Sequence, residues 1–518
     1  MHFNELYFMY KFAHHLIMKE NFDLIHIDQN NEIWIEKYDR KTSHVIRLTH
    51  HGFDWQNHLR KDIALVFQKA KNMKRLLKGK NIFVHNIYIS THAPVDSWEN
   101  LKQPMQLKEK NPVKMNMYYL HEEDFDEELL RLQDSLGVNK FSVNDEVHED
   151  NKLQEEIEER IKEYRNDLFT LLENKRKAIQ EVFSYGKPFF TYVIILINLL
   201  MFYLLETSGG STSIDTLIDF GAKYNPDMIE EGQWWRIVSS MFLHIGLLHF
   251  LMNMLAVYYL GTLVEKIYGR WRFLFIYFLA GIGGGIASFA FSMSISAGAS
   301  GAIFGLFGAL LFFGLIYKQI FFQTMGLSVL VILAINIVFG FMVQQIDMAA
   351  HLGGLIAGFV ASVIFYLPKK KNTLIQFTAV LVYGLIISGL VVFGVHNNFN
   401  SQAYHLMVIE KSISDSDFEK VVDVSTEALD VRGDLEAIIY FQRAYAYIEL
   451  NEAELAIQDL EESITYEGMP EAYYNLALLY YNNGEIDKAE ENIRKAYSSN
   501  PEQGDFIQLY EEITGESL

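Results

Sequence analysis

The sequence predicts a polytopic α-helical membrane protein with an N-terminal α/β soluble domain and a C-terminal all-α domain. Three observations support this fold class: seven apolar runs, strand and helix patterns before them, and a helical pattern with an internal period after them. The length of 518 residues corresponds to several domains. We therefore expect an α/β domain at 1–120, a charged helical linker at 121–187, a membrane domain at 188–395 and a repeat domain at 396–518.

Charge is distributed unevenly along the chain. The formal net charge is −21, and residues 396–518 contribute most of it, with 7 basic and 26 acidic side chains. The membrane domain is close to neutral, with 9 basic and 8 acidic side chains. No part of the chain is strongly basic, so we expect no nucleic-acid partner. Cysteine is absent, which excludes disulfide bonds, cysteine-ligated zinc and thiol nucleophiles.

The first 120 residues show helix and strand patterns in the order αβββαβ, followed by one more strand. The predicted elements are a helix at 3–18, strands at 24–26, 33–38 and 44–48, a basic helix at 55–77 and strands at 82–90 and 113–120. A turn at Gln29-Asn30-Asn31 is expected to join the first two strands. Residues 121–187 are acidic and then alternately charged, which indicates long helices leading to the first apolar run.

Histidine is concentrated in this N-terminal part, which holds 12 of the 17 histidines. Two adjacent pairs stand out, His14-His15 and His50-His51. Histidines near carboxylates could bind a divalent cation such as Mn²⁺ or Zn²⁺ and regulate the protein. The simpler alternative is that these are ordinary surface histidines, and it is the preferred interpretation.

The seven apolar runs are each close to the ~20 residues that a helix needs to cross a bilayer. They lie at 188–205, 243–262, 271–293, 300–317, 325–343, 349–367 and 374–395. Basic residues gather before the first run and in every second connection after it. Because basic loops stay in the cytoplasm, the N-terminus is expected inside and, after seven spans, the C-terminus outside. We expect a multi-pass protein of the plasma membrane, with the lipid bilayer as a partner.

A few polar residues lie inside the runs, where they are costly and point to function. Ser300, His351 and His249 lie 18, 18 and 17 residues before Lys318, Lys369 and Lys266, at the cytoplasmic ends of their runs. In helices, that spacing places all three about 25–27 Å from the inner boundary. The same face of the second run holds Asn253, one turn after His249. A serine, two histidines and an amide are therefore expected at one depth.

Ser300 follows Gly298-Ala299 and opens its run directly after a short connection. A serine at a helix N-terminus has free backbone N–H groups beside it, which favour developing negative charge and suit a nucleophile. The alternative is a small-residue stretch that only lets helices pack closely. His351 also lies among small residues, so its helix could approach Ser300 and supply a general base. A lone histidine in a span is otherwise a structural hydrogen-bonding group.

These motifs together resemble the rhomboid family of intramembrane serine proteases. The resemblance rests on His244-x4-His249-x3-Asn253, Gly298-x-Ser300-Gly301 and Ala350-His351-x-x-Gly354, in the family's order. Trp235-Arg236 after the first run, and Glu265 with Gly269 at the end of the second, also match the family. The resemblance covers 188–395 and implies a six-helix rhomboid core plus a seventh span.

The resemblance implies a role for each matching residue. Ser300 would be the nucleophile and His351 the general base of a Ser-His dyad. The backbone N–H of Ser300 and the side chains of His249 and Asn253 would form the oxyanion hole. Supporting roles fall to His244, which would anchor a loop, and to Gly298, Gly301 and Phe304. At the last of these positions the family often has a tyrosine packed on the catalytic histidine, so the ring here can stack but lacks the hydroxyl.

The resemblance also implies the kind of substrate. It would be another transmembrane protein, cut near the outer membrane face by a serine endopeptidase. A regular helix hides its peptide bonds, so a substrate helix weakened by glycine or proline should be preferred. We expect no metal and no cofactor in this site.

The C-terminal part shows an internal period, since Ala456 and Ala489 are 33 residues apart. The unit that contains Tyr473, Ala477 and Ala489 resembles a tetratricopeptide repeat, a pair of antiparallel helices; the alternative is a generic helical bundle. Two or three repeats would form a short concave surface that could bind a basic or extended polypeptide. Solubility alone could equally explain the acidic charge.

Two other functions compete with proteolysis. A membrane scaffold or adaptor would present partners through the repeat and cytoplasmic domains, with or without cleavage. A channel or transporter is less consistent with the sequence, because the polar residues gather at one depth instead of forming a path.

Overall fold

The computed structural model describes residues 5–28, 32–39, 41–73, 77, 79, 81–106, 113–139, 141, 151–343 and 345–516. The predicted turn at Gln29-Asn30-Asn31 lies outside these residues. The chain divides into two compact units, Met1–Ser184 with Gly314–Ser328 and Tyr185–Phe313 with Val329–Leu518. Each unit is described separately.

The N-terminal domain contains a six-stranded sheet in the order β1-β2-β3-β4-β6-β5. The strands are β1 (Asp23–Ile27), β2 (Glu32–Asp39), β3 (Thr42–Thr49), β4 (Asn81–Ile89), β5 (Met105–Gln106) and β6 (Val113–Leu120). The pairs β3–β4 and β4–β6 are parallel, and the other pairs are antiparallel. The structure confirms the predicted αβββαβ order and adds the two-residue edge strand β5.

Helices cover both faces of this sheet. They are α1 (Glu5–Lys19), α2 (Gln56–Met73), α3 (Phe125–Leu136) and α4 (Asn151–Phe183). Because successive strand residues point to opposite faces, Ile33 and Ile35 share one core with α1, while Trp34 faces the other core with α2. The first core also includes Leu129 of α3 and Leu168 of α4. Helices of the predicted linker therefore complete the core of this domain.

The first membrane helix, α5 (Phe190–Thr207), leads into a connection with three short helices, α6 (Ile214–Asp219), α7 (Asn225–Glu230) and α8 (Arg236–Ser239). We call residues 208–245 the first connection. The carboxylate of Glu265 accepts hydrogen bonds from the amides of Phe189, Phe190 and Thr191 at 2.8–3.0 Å, which caps the start of α5.

Helices also form in the remaining apolar runs. They are α9 (Gly246–Ala256), continued through a π-helical turn at Val257–Gly261 into α10 (Thr262–Tyr268), then α11 (Arg270–Phe291), α12 (Ser300–Ile316), α13 (Lys318–Thr324), α14 (Gly326–Met342), α15 (Met348–Phe365) and α16 (Thr373–Phe399). In the described part of the chain, five helices are long and apolar enough to cross a membrane, or six if α13 and α14, which meet at a 75° bend, count as one. At 17 residues, α12 is slightly shorter than these.

The C-terminal part is a series of antiparallel helical pairs. The helices are α17 (Gln402–Ser414), α18 (Phe418–Leu429), α19 (Glu436–Glu449), α20 (Ala453–Tyr466), α21 (Pro470–Asn482), α22 (Ile486–Ser499) and α23 (Gly504–Thr514). Small buried residues lie where the paired helices touch, among them Ala444, Ala456, Ala477 and Ala489. The predicted helical repeat is therefore present in the fold.

Candidate active site

The residues predicted to form the site stand at the starts of their helices. Ser300 is the first residue of α12, while His249 and His351 are the fourth residues of α9 and α15. Asn253 follows one turn after His249 and is buried, whereas the other three are partly exposed. Ser300, His249 and His351 thus each lie in the first turn of a helix, and their common depth in the membrane stays a prediction.

The space beside Gly298 is bordered by two of these residues, His249 and Ser300. The backbone of Gly298 has a φ of 153°, which disfavours any residue with a side chain. A β-carbon built on Gly298 would lie 3.1 Å from Nε2 of His249 and 3.7 Å from Oγ of Ser300. The histidine and the serine therefore border the same small space, which the missing side chain leaves open.

Close packing of α12 on α15 brings the segments of Ser300 and His351 together. A β-carbon on Gly301 would lie 3.3 Å from the carbonyl oxygen of Ala350, and one on Gly354 would collide with the backbone of Gly301. Further along, Gly308 lies against the backbone of α15 in the same way. Because Gly301 follows Ser300 and Ala350 precedes His351, this contact makes the two residues' backbones near neighbours.

Phe304 and His351 form a ring stack across the two helices. Their ring centroids are 4.2 Å apart with an interplanar angle of 14°. The expected stacking on the histidine thus occurs without a tyrosine hydroxyl. Stacking on a fixed aromatic ring limits the rotation of the imidazole and orients its nitrogens.

The two side chains predicted for the oxyanion hole, those of His249 and Asn253, lie on adjacent turns of α9. Asn253 donates from Nδ2 to the carbonyl oxygen of His249 at 3.1 Å. The ring of His244 lies edge-on to His249, with centroids 5.4 Å apart, and also packs on Phe250. His244 therefore contacts the ring of His249, and its role as a supporting, loop-anchoring residue stays a prediction.

The segment before Ser300, residues 292–299, is held by residues that the sequence did not single out. Lys223 of the first connection is fully buried and donates from Nζ to the carbonyl oxygens of Ser292 and Ser294 at 2.8 and 2.9 Å. Its backbone pairs with that of Ser296 at 2.9 and 3.1 Å. Burial lowers the pKa of Lys223 to about 8. We call residues 292–299 the Ser300 segment.

A carboxylate stands at the start of α15. Asp347 accepts from the amide of Ala350 at 2.9 Å, which caps the helix, and it also accepts from the hydroxyl of Ser288 on α11. The cap lies one turn before His351 and fixes the end of the helix that presents it. An aspartate two residues before an apolar run is a helix-start signal that sequence reasoning could have used.

The N-terminal histidines have separate neighbours. His14 lies 3.6 Å from the carboxylate of Asp167, and His15 packs on Phe141. His51 packs edge-on against Phe53. Among the described residues, no group of three or more histidine, aspartate or glutamate side chains is arranged to hold a metal ion. Metal binding through His14, His15, His50 and His51 stays a prediction for titration.

The comparison with known proteins decides the family. The chain is 36% identical over 482 residues to rhomboid protease GluP of Bacillus subtilis (strain 168), covering 92% of this chain and 91% of that protein. The chain belongs to the rhomboid protease family. The rhomboid domain matches residues 231–368, and tetratricopeptide repeats match 437–468 and 470–503.

Other relatives of this rhomboid protease match a smaller share of the chain. Putative rhomboid protease YdcA of B. subtilis is 30% identical, over 36% of this chain and 92% of that protein. RHOMBOID-like protein 6, mitochondrial, of Arabidopsis thaliana is 38% identical, over 33% of this chain and 56% of that protein. The protein is therefore a multi-pass intramembrane serine protease that carries an N-terminal sheet domain and a C-terminal repeat domain, as the sequence predicts.

Proposed function

We propose that this rhomboid protease cleaves transmembrane proteins near the outer membrane face by a dyad of Ser300 and His351. Ser300 Oγ attacks the carbonyl carbon of the scissile peptide bond, and His351 accepts the hydroxyl proton and passes it to the leaving amine. Water then attacks the acyl-enzyme ester, His351 again takes the proton, and Ser300 is restored. Partial exposure of both residues suits a reaction that consumes water.

The observation that carries this proposal is the backbone contact between Gly301 on one side and Ala350 and Gly354 on the other. It holds the start of α12 against the start of α15, so the residue before Gly301 and the residue after Ala350 lie side by side. The stack of Phe304 on His351 adds a fixed orientation for the imidazole. Both features suit a nucleophile and its base.

The negative charge that develops on the substrate oxygen needs donors in place. The backbone N–H of Ser300 lies in the first turn of α12, where amides have no acceptor within the helix. The side chain of His249 borders the same space beside Gly298, and Asn253 lies one turn further along α9. We assign these three groups to the oxyanion hole, where one donor contributes about 10²–10³ in rate.

Membrane orientation follows from the basic residues. Lys318 and Lys369 follow α12 and α15, whose first residues include Ser300 and His351. Basic connections stay in the cytoplasm, so the N-terminus lies inside, and the catalytic residues and the C-terminal repeats lie on the outer side. The substrate is then a transmembrane protein cut near the outer end of its helix, preferentially where glycine or proline weakens that helix.

Cleavage of a transmembrane reporter in liposomes tests the dyad. Wild-type protein is expected to cut the reporter, and Ser300→Ala and His351→Ala are each expected to lower the rate by about 10⁴ or more. Ser388→Ala is the matched control, since this serine lies exposed on α16. Cleavage by Ser300→Ala at the wild-type rate would exclude Ser300 as the nucleophile.

A second candidate function is that of an adaptor that presents protein partners. Its support is the pair of tetratricopeptide repeats at 437–468 and 470–503, a fold that forms binding surfaces. A Ser300→Ala variant distinguishes the adaptor function from the protease function. An adaptor function survives this substitution, whereas every effect that depends on cleavage disappears.

A further inference from the structure

The first helix of the repeat domain is bonded to the first connection. Tyr404 of α17 donates its hydroxyl to the carboxylate of Glu230 at 2.9 Å, and Tyr224 donates its hydroxyl to the carbonyl oxygen of Met407 at 3.1 Å. Lys411 donates to Asp227 at 2.6 Å. Lys411 also pairs with Glu231. We call this set of contacts the junction.

Asp227 is the centre of the junction. It is only 4% exposed, and its carboxylate pairs with Lys411 through one oxygen and with Arg236 through the other. Burial lowers the pKa of Lys411, but its hydrogen bonds to Asp227 and Glu231 raise the pKa overall. A buried carboxylate that loses one of two cationic partners is strongly destabilised. Loss of the Lys411 ammonium would therefore destabilise the first connection at Asp227.

Arg236 carries the contact from Asp227 towards the active site. It is buried and donates to the carbonyl oxygens of Ile218 and Ala222 at 2.6 and 3.2 Å. Ala222 is followed by Lys223, which bonds the backbone of the Ser300 segment at three positions. A series of hydrogen bonds, with the peptide bond between Ala222 and Lys223, thus runs from Lys411 to residues four to eight positions before Ser300.

A second anchor fixes the point where the repeat domain begins. Asn225 donates to the amide oxygen of Asn398, near the end of α16, at 2.7 Å. Both asparagines also donate to the carbonyl oxygen of Phe289, at 3.3 and 3.2 Å. All three residues are fully buried. The end of the last membrane helix is therefore held beside the first connection, which places α17 on α7.

We propose that the repeat domain is a positioning element of the protease, in which Lys411 holds the first connection and thereby the Ser300 segment in the arrangement needed for cleavage. This inference rests on the proposed role of Ser300 as the nucleophile. It assigns Lys411 an effect on the chemical step although the residue touches neither substrate nor reacting atoms. Coupling of this kind between two sites typically amounts to a factor of about 5–150.

The test compares Lys411→Met, Lys411→Arg and Lys488→Met with wild-type full-length protein in liposomes. Lys488 is the matched control because it is an exposed lysine whose ion pair with Glu485 and contact with the ring of Tyr480 both lie within the repeat domain. We measure kcat and KM for the transmembrane reporter and the rate at which a fluorophosphonate labels Ser300. Labelling reports on the nucleophile without requiring a substrate helix to dock.

Lys411→Met is expected to lower kcat and the labelling rate about tenfold with KM unchanged. Lys411→Arg, which can still pair with both carboxylates, is expected to stay within about twofold of wild type, as is Lys488→Met. Wild-type kcat and labelling in Lys411→Met, an effect on KM alone, or an equal loss in Lys488→Met would each overturn the proposal.

A milder variant keeps the proposal testable if Lys411→Met does not fold. Tyr404→Phe removes one hydroxyl from the junction and keeps the packed ring, and it is expected to lower kcat and labelling about two- to threefold. Unchanged rates in this variant would overturn the proposal in that case. Failure of the proposed function is distinct, since Ser300→Ala would then cleave as well as wild type.

Discussion

At Gly298 the lack of a side chain leaves open the space between His249 and Ser300 that the proposed reaction assigns to a substrate oxygen. Two features exclude a side chain here: the positive φ of Gly298, and the distance of 3.1 Å from a β-carbon at this position to His249 Nε2. A single added methyl group at this position would be enough to fill the space. The residue scale is therefore where catalysis is most sensitive, and a misplacement of 1 Å can cost about 10²-fold in rate.

Gly298→Ala is expected to lower kcat about a hundredfold while the protein still folds in the membrane. The added methyl group would push on the ring of His249 and force an unfavourable backbone conformation on the Ser300 segment. Gly384→Ala is the control, because a β-carbon there would meet no atom within 4 Å. Reporter cleavage and fluorophosphonate labelling measure both variants. Full activity of Gly298→Ala would contradict the assignment of this space to the reaction.

Asn253→Ala is expected to lower kcat about 10²- to 10³-fold with little change in KM, because an oxyanion donor acts mainly in the transition state. Asn336→Ala is a closely matched control. Asn336 also donates to the carbonyl oxygen four residues before it, at 2.8 Å, but it lies exposed on α14. Steady-state cleavage of the reporter separates kcat from KM. Equal rates for the two alanine variants would remove Asn253 from the oxyanion hole.

Phe304→Ala is expected to reduce kcat about three- to tenfold, the range that a lost ring stack of about 0.5–1.5 kcal/mol implies. Phe304→Tyr keeps the ring on His351 and should retain at least wild-type activity. Cleavage rates of the two variants at equal protein concentration provide the measurement. A loss of activity in the tyrosine variant, but not in the alanine variant, would show that the stack does not orient His351.

At the scale of elements, the contact between α12 and α15 depends on glycine. Gly301 and Gly308 of α12 lie against the backbone of α15, and Gly354 and Gly358 of α15 lie against the backbone of α12. Residues without side chains let helix backbones approach closely in a membrane, where apolar side chains have no preference between lipid and protein. The distance between Ser300 and His351 is therefore set by helix packing as well as by their own side chains.

Gly354→Ala is expected to lower both cleavage and thermal stability, because its methyl group would overlap the backbone of Gly301 and force the helices apart. Overpacking of this kind costs about 1–3 kcal/mol. Gly389→Ala on α16, where a β-carbon meets nothing within 4 Å, is the control. Thermal unfolding in detergent and reporter cleavage are measured for both. An unchanged unfolding temperature in Gly354→Ala would contradict the packing argument.

The sequence predicted these elements well where an apolar run or a basic residue marks an end. The counts from Lys266, Lys318 and Lys369 put three polar residues near the starts of their helices, where the structure has them, because helix rise per residue is constant. The short helices α6–α8, the π-helical turn at Val257–Gly261 and the bend between α13 and α14 were not predicted. Each depends on tertiary contacts or hydrogen bonds that leave no periodic pattern in the chain.

At the scale of the whole molecule, the important residues that sequence reasoning missed are those whose partners lie far along the chain. Lys223 and Asp227 appear in a polar connection, where a charged residue is usually a solvated one. Their burial follows from the Ser300 segment and from α17, which are synthesised later. The family and the site residues could be predicted from local motifs, whereas the junction required the fold.

The N-terminal domain should lose stability as pH falls. Burial, and secondarily the charge of His44, lower the pKa of His85 to about 3, well below its ordinary 6.5. Between these values the unfolded chain binds a proton that the folded domain excludes, so His85 stabilises the fold above pH 6.5 and that stability is lost towards pH 3. The slope contributed by one such histidine is at most about 1.4 kcal/mol per pH unit.

His85→Phe is expected to reduce this pH dependence between pH 6.5 and 5, while the exposed His51→Gln should not. Hydrogen exchange of the β4 amides in the full-length protein, corrected for intrinsic exchange rates, follows the stability of this domain. Identical slopes for wild type and His85→Phe would show that another group controls the acid sensitivity.

The junction also has a consequence for biosynthesis. Asp227 and Lys411 are separated by 184 residues. At about 5–20 residues per second, the ribosome adds Asp227 roughly ten to forty seconds before it adds Lys411. During that interval Asp227 can pair with Arg236, and six further apolar helices must enter the bilayer before α17 is made. The first connection can therefore reach its final bonded state only after the last membrane helix and α17 have been made.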